Sequence, residues 1–278
     1  RVPGRIKIGQ CFTPSFRSCR TVATGSKLMT EVQFGYKKVT PDEKANLVDE
    51  VFRTVADRYD AMNDLMSFGM HRLFKRMVVQ SSGVRPGHCV LDLAGGTGDM
   101  SALFAKAVGP TGQVILTDPN VEMMAVGKER LLNKGHTNVK FCHAPAEALP
   151  FADNIFDVAC ISFGIRNFTD KDAALAELLR VLKPGAALLV LEFSKPQQPI
   201  IKGAYETFQA LWPLAGRAIA GDAEPYRYLI ESIRVLPDQK ALKQMFGDAG
   251  FADVEYYNLI GGIAAIHRGV KPMPERAA

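Results

Sequence analysis

From residue 87 onward, short apolar runs alternate with helical stretches, and that alternation admits few folds. The runs are HCVLDL, QVILTD, NVKFCHA, FDVACISF and AALLVLEF. Between them come a helix predicted from about Asp99 to Val108 and a helix NVEMMAVGKERLLNKG ended by Gly135. A third, TDKDAALAELLRVLKPG, has an acidic start and a Pro184–Gly185 stop. Strands this continuously apolar are covered on both faces, which predicts an α/β fold with a mostly parallel sheet and helices on either side. Residues 196–236 break the alternation with helical, aromatic-rich sequence. A last helix ends at Gly250, and two strands, ADVEYYNLI and GIAAIHRGV, joined at Gly261–Gly262, predict an antiparallel edge.

Upstream, residues 41–81 read as helices. Thr40 is a candidate cap, Pro41 stands at the first helical position with acids in the first turn, and Gly69 leads into a second helix. Residues 1–28 carry six basic residues and no acid, so removing them takes the net charge from +5 to −1. Bulk charge therefore gives no argument for nucleic-acid binding. The leader has the composition of an organelle transit peptide, but a true start at Met29 is the favoured reading. Five scattered cysteines without a CxxC read as reduced thiols, and five histidines without i, i+4 pairing offer no metal site. No run approaches the ~18 apolar residues of a membrane-spanning helix.

The stretch LDLAGGTGDM, residues 91–100, carries the chemistry. A strand ending in Asp92 meets Gly95, Gly96 and Gly98, and Asp99 opens a helix. Backbone N–H groups at such a turn can face a ligand. A dinucleotide fingerprint needs a third glycine where this chain has Ser101, and a carboxylate at the helix start repels a pyrophosphate. S-adenosyl-L-methionine has no phosphate and carries a sulfonium and an ammonium, so an acidic cradle suits it. Asp92 then falls near its amino-acid part. Asp118, twenty residues past Gly98 at the end of the second strand, is placed to accept from both ribose hydroxyls. A nicotinamide-dependent reductase of the same layered fold is the competing reading.

With that turn in view, the chain resembles the class I methyltransferases, and specifically the UbiE-type C-methyltransferases of ubiquinone and menaquinone biosynthesis. The matching stretches run from about Phe34 to Lys271. They include VFRTVADRYDAMNDLMSFGMHRLFKR, VLDLAGGTGD, AEALPFADNIFD, ISFGIRNFTDKDAAL, RVLKPG, LLVLEFSKP, YRYLIESIRVLPDQ and DAGFADVEYYNL. RVLKPG is common to many methyltransferases, whereas RYDAMNDLMSFG, FGIRN and YLIESIR are specific to this family.

The resemblance implies a Rossmann-like class I methyltransferase sheet. It implies S-adenosyl-L-methionine as cofactor, contacted by Thr97 and Asp118, with Pro145 and Ala146 along the adenine and Ser162 completing the set. Family members usually carry Asn or Asp where this chain has Pro145, which removes a side-chain contact and a backbone donor. The acceptor implied is a polyprenylated quinol, 2-methoxy-6-polyprenyl-1,4-benzoquinol or demethylmenaquinol. Arg166 would stabilise a phenolate or act through water, with a structural ion pair as its alternative role. Asn167 would orient a ring oxygen, and Tyr59, Asp60 and Asn63 fall in the lid.

The organisation expected is a leader (1–28), a helical lid (29–86), a cofactor-binding core (87–195), a helical insertion on the substrate side (196–236) and a closing helix with strands (237–278). A bilayer-borne acceptor implies peripheral contact with the inner membrane from the cytoplasm, or from the mitochondrial matrix. A homodimer or a place in a quinone-biosynthesis complex is the expected assembly. A non-catalytic member of such a complex, or a methyltransferase of another acceptor, are the further alternatives.

Overall fold

The computed structural model describes residues 31–55, 63, 64, 67, 69–220 and 224–274. Seven strands form one sheet in the order β5-β4-β3-β6-β7-β9-β8. They are β3 (Cys89–Leu93), β4 (Gln113–Asp118), β5 (Val139–His143), β6 (Phe156–Ser162), β7 (Leu182–Phe193), β8 (Ala252–Leu259) and β9 (Ala264–Val270). Strands β3 to β7 pair in parallel. Strand β9 runs against both neighbours, β7 and β8. The expected antiparallel edge is thus made by the last strand inserting between β7 and β8, and β8 is the outermost strand.

The sheet is apolar on both faces for a geometric reason. Along β7, Ala187, Leu189, Leu191 and Phe193 face one core, shared with Phe104 and Trp212. Ala186, Leu188 and Val190 face the other, shared with Leu175 and Phe246. Successive side chains point to opposite sides of a strand, so a doubly covered strand cannot alternate apolar with polar.

Helices α3 (Asp99–Val108), α4 (Val121–Asn133) and α5 (Lys171–Val181) connect the parallel strands. Asn120 and Asp170 cap α4 and α5, each side chain accepting a backbone N–H three residues on. Helix α5 ends at Val181, earlier than RVLKPG suggests. Leu182 already pairs with Phe156, and the register shifts before Ala187. Helices α6 (Pro199–Ala220), α7 (Glu224–Val235) and α8 (Gln239–Asp248) fill the span before β8.

Upstream, α1 (Pro41–Val55) opens with a reciprocal capping box. Thr40 Oγ1 accepts from the Glu43 N–H, and Glu43 Oε2 accepts from the Thr40 N–H. Helix α2 (His71–Ser81) follows. A hairpin that the sequence reading assigned to no element, β1 (Val32–Phe34) and β2 (Lys37–Val39), precedes them. It packs on α7, with Phe34 stacked on Tyr228 at 4.4 Å and the Tyr36 N–H donating to Glu231.

Candidate active site

The chain runs from β3 to β4 and β5 on one side, then crosses back to β6 on the other side of β3. In open α/β sheets the ligand crevice lies outside the carboxyl ends of the strands at such a reversal. A cavity of about 320 Å³ opens there. Its walls are Ala94 and Gly96 after β3, Asp118 to Asn120 after β4, Pro145 to Glu147 after β5, and Phe163, Gly164 and Asn167 after β6. Helix α1 closes it with Ala45, Val48, Asp49 and Phe52. A narrower recess of about 20 Å³ shares Ala94, Gly96 and Phe163 and adds Lys75, Asp92, Gly95, Thr97 and Ser162. The predicted set other than Gly98 and the two lid residues Tyr59 and Asp60 is therefore brought together here, apart from Arg166 and Asn63.

Asp118 organises the turn. Its Oδ2 accepts from the Gly96 N–H at 2.9 Å and its Oδ1 from the Asn120 N–H at 2.8 Å. Burial pushes its carboxyl up to about 6 in spite of those bonds. Gly98 lines neither cavity. It stands at the start of α3 with φ 81, a conformation that side chains resist, and so sets the turn's shape. Ala94 and Phe163, with φ 55 and 57, hold the same unfavourable region without being glycine. Backbone strain at this reversal is what a ligand-shaping loop carries.

Asp92 points to the α3 side, where Ser101 Oγ donates to its Oδ2 at 2.6 Å. Its Oδ1 and the buried Ser162 Oγ have no hydrogen-bond partner among the described residues. Such atoms call for a polar ligand group, and an ammonium facing Asp92 fits. Burial pushes the Asp92 carboxyl up to about 7, opposed by Ser101 and Lys75. Asp99 takes no part in this. Lys75 Nζ at 3.0 Å and Arg130 at 3.1 Å neutralise it, so of the two acids flanking the turn only Asp92 faces the recess.

These shifts give a pH dependence with a definite sign. A carboxyl with a raised folded pKa keeps its proton longer when folded than when unfolded. Stability of the ligand-free protein is then expected to fall as pH rises from the ordinary carboxylate range through about 6 and 7. A cationic ligand needs the ionised form, so its affinity should rise with pH to a plateau above 7, falling by up to about tenfold per unit below it. Calorimetry of S-adenosylmethionine binding in buffers of different ionisation enthalpy measures the released proton. Affinity that is flat between pH 5.5 and 8 would sink this account.

Several site residues escaped the sequence reading. Gly127 on α4 lets that helix lie against the glycine turn, since an added Cβ would sit 2.8 Å from the Gly96 carbonyl oxygen. Gly127→Val is expected to abolish cofactor binding measured by calorimetry, because the obstruction is backbone. Retained affinity would show that the turn tolerates displacement. Asn120 Nδ2 donates to Asp49 Oδ1 on α1 at 2.7 Å, and the buried Lys44 donates to the Phe168 carbonyl at 2.8 Å. Helix α1 is thereby pinned to both rims of the cavity. Lys44 is pushed down to about 8, chiefly by burial.

Arg166 and Asn167 form a short 3₁₀ turn after β6. Arg166 is buried and lines neither cavity. Its Nη1 donates to the Phe163 carbonyl and pairs with the buried Glu192 Oε1 at 2.8 Å. Burial raises the Glu192 carboxyl against the pull of Arg166. Asn167 does line the main cavity, and the Tyr228 hydroxyl donates to its Oδ1 at 3.0 Å. Asn63 is buried and its carbonyl accepts from Ser67. Tyr59 and Asp60 lie outside the described residues, as does the leader.

The strand order with its inserted β9 and the acid-ended glycine turn define the class I methyltransferase architecture. A solved S-adenosylmethionine-dependent methyltransferase from Aquifex aeolicus superposes with a TM-score of 0.54 at 19% identity, covering 84% of this chain and 98% of that one. Residues 37–271 match the ubiE/COQ5 methyltransferase family, and the chain belongs to it. A ubiquinone/menaquinone biosynthesis C-methyltransferase UbiE from Ectopseudomonas mendocina (strain ymp) is 56% identical over 241 residues, 86% of this chain and 94% of that protein. The protein of the same name from Pseudoalteromonas translucida (strain TAC 125) is 57% identical over 240 residues, 86% of this chain and 96% of its own length. The chain is an S-adenosylmethionine-dependent methyltransferase.

Proposed function

We propose that this chain methylates a ring carbon of a polyprenylated benzoquinol or naphthoquinol in ubiquinone or menaquinone biosynthesis. The observation that carries this is the match, over 86% of the chain, to relatives named for that activity. When bound, S-adenosylmethionine would supply an electrophilic methyl on a sulfonium that leaves as a neutral thioether, and a ring carbon made electron-rich by a neighbouring phenolate would take the methyl and then lose its proton.

The residues divide that work. Asp118 takes the ribose hydroxyls, while Gly95, Gly96 and Thr97 shape the backbone beside the methionine part. Asp92 and Ser162 face its charged end, and Pro145 and Ala146 flank the adenine. Asn167 faces the acceptor's ring oxygen. Arg166, paired with Glu192, holds the turn that presents Asn167, so its role is positioning. Alignment of the two reactants in the cavity supplies several kcal/mol of the barrier reduction.

Among the described residues no helix is long and apolar enough to cross a membrane. An acceptor with an isoprenoid tail still requires peripheral contact with a bilayer. The rim near the carboxyl end of β7 suits it, where Ile200 is 88% and Ile260 47% exposed beside exposed Lys195 and Lys202. Co-sedimentation with anionic vesicles, weakened in Ile200→Asp, tests that contact, and equal sedimentation of the variant would remove this rim. Expression in a bacterium lacking its own family member tests the reaction. Restored methylated quinone is expected, and persistent demethylated precursor would contradict the proposal.

A further inference from the structure

The Tyr228 hydroxyl donates to the side-chain amide of Asn167, a residue of the cavity wall. Tyr228 sits on α7, 61 residues from Asn167, and is buried to 6% exposure. Its ring is clamped from outside by Phe34 of the N-terminal hairpin, stacked at 4.4 Å and 19°. The hairpin is fastened to the same helix, with Glu231 accepting the Tyr36 N–H and Arg234 donating to the Tyr36 hydroxyl. At the other end, the Asn167 N–H closes the 3₁₀ turn on the Gly164 carbonyl at 3.0 Å. The Tyr228 ring and the Asn167 backbone are therefore held independently of the bond between the two side chains.

An asparagine amide has two faces of opposite chemistry. Its oxygen accepts and its nitrogen donates. A phenol has one proton to give, and burial raises the Tyr228 phenol further above its ordinary value, so it keeps that proton. With the Asn167 oxygen engaged by Tyr228, the amide has its Nδ2 donors to offer to the cavity that Asn167 lines. Donors aimed at an oxygen that gains negative charge are the efficient arrangement for stabilising it. The reversed amide would turn its oxygen to the cavity, accept from the acceptor's ring hydroxyl and favour that hydroxyl's neutral form.

We infer that Tyr228, clamped by Phe34, is a positioning residue that presents the Asn167 amide nitrogen to the acceptor's ring oxygen and so lowers that oxygen's pKa in the complex. This rests on the quinol-methylating reading of the site. It also gives the N-terminal hairpin a function, because the hairpin holds the ring that sets the amide.

The test is Tyr228→Phe, which keeps the ring and its stacking, assayed beside the unaltered protein with a reduced short-tailed demethylated quinol. S-adenosylmethionine affinity by calorimetry should stay within about twofold. The turnover number near neutral pH should fall about ten- to a hundredfold, less than the roughly hundred- to thousandfold loss when such a donor is removed outright. That deficit should shrink as pH rises, because the acceptor then ionises without help. Phe34→Ala, which removes the clamp and leaves the hydroxyl, should give a smaller loss with the same pH signature. Full activity in Tyr228→Phe would overturn the inference, and so would a loss equal at every pH or one confined to cofactor affinity. Failure of the unaltered protein to methylate the quinol would instead strike the functional reading beneath it.

Discussion

Arg166→Ala is expected to lower the midpoint of thermal unfolding by roughly 6–20 °C and to remove most turnover. The substitution leaves the Glu192 carboxylate, 2% exposed, without the guanidinium at 2.8 Å that compensates it. Breaking a buried ion pair from one side costs about 3–5 kcal/mol, and each kcal/mol moves the midpoint of a chain this size by about 2–4 °C. Replacing both partners by apolar side chains of similar volume is often neutral. The double variant Arg166→Met with Glu192→Met should therefore recover most of the stability. If Arg166 acts by holding the turn, the double variant also regains methyl transfer to within about tenfold, a margin of one 1.4 kcal/mol step. A double variant as stable as the parent but still inert would assign the guanidinium a direct part in the reaction.

Asp118→Ala is expected to raise the dissociation constant for S-adenosylmethionine by about a hundredfold or more. The carboxylate bonds two backbone N–H groups, of Gly96 and Asn120, and in the proposed complex the ribose as well. Hydrogen bonds to a charged group contribute about 1.5–3 kcal/mol each, and 1.4 kcal/mol is tenfold in affinity. Asp118→Asn keeps one acceptor and should fall between the two. Calorimetry reads both, and an unchanged constant in the alanine variant would remove Asp118 from the site.

The strands and helices of the core were legible because periodicity declares them. A short apolar run such as AALLVLEF, set off by Pro184 and Gly185, reads as a strand covered on both faces. The hairpin of residues 32–39 was not, because three-residue strands carrying Lys37 and Lys38 show no alternation, and Gly35 alone marks the turn. The cofactor turn was readable as a local string, which also made Asp99 look like part of it. Only the fold shows that Lys75, 24 residues away, takes that charge. Glu192 left a trace, being a lone acid in an apolar strand, where burial demands a partner. The sequence could not say that the partner was Arg166. Nor could spacing connect Tyr228 with Asn167, since their contact depends on how α7 lies on the turn after β6.

Carbon methylation of a quinol can be read from a single labelling experiment. The purified protein would be incubated with methyl-labelled S-adenosylmethionine and a short-tailed demethylated quinol kept reduced, and the product's label located by mass spectrometry. Label is expected on the ring carbon next to a hydroxyl, with none transferred to the oxidised quinone. Label on an oxygen, or no transfer while the cofactor still binds, would rule out carbon methylation of this acceptor.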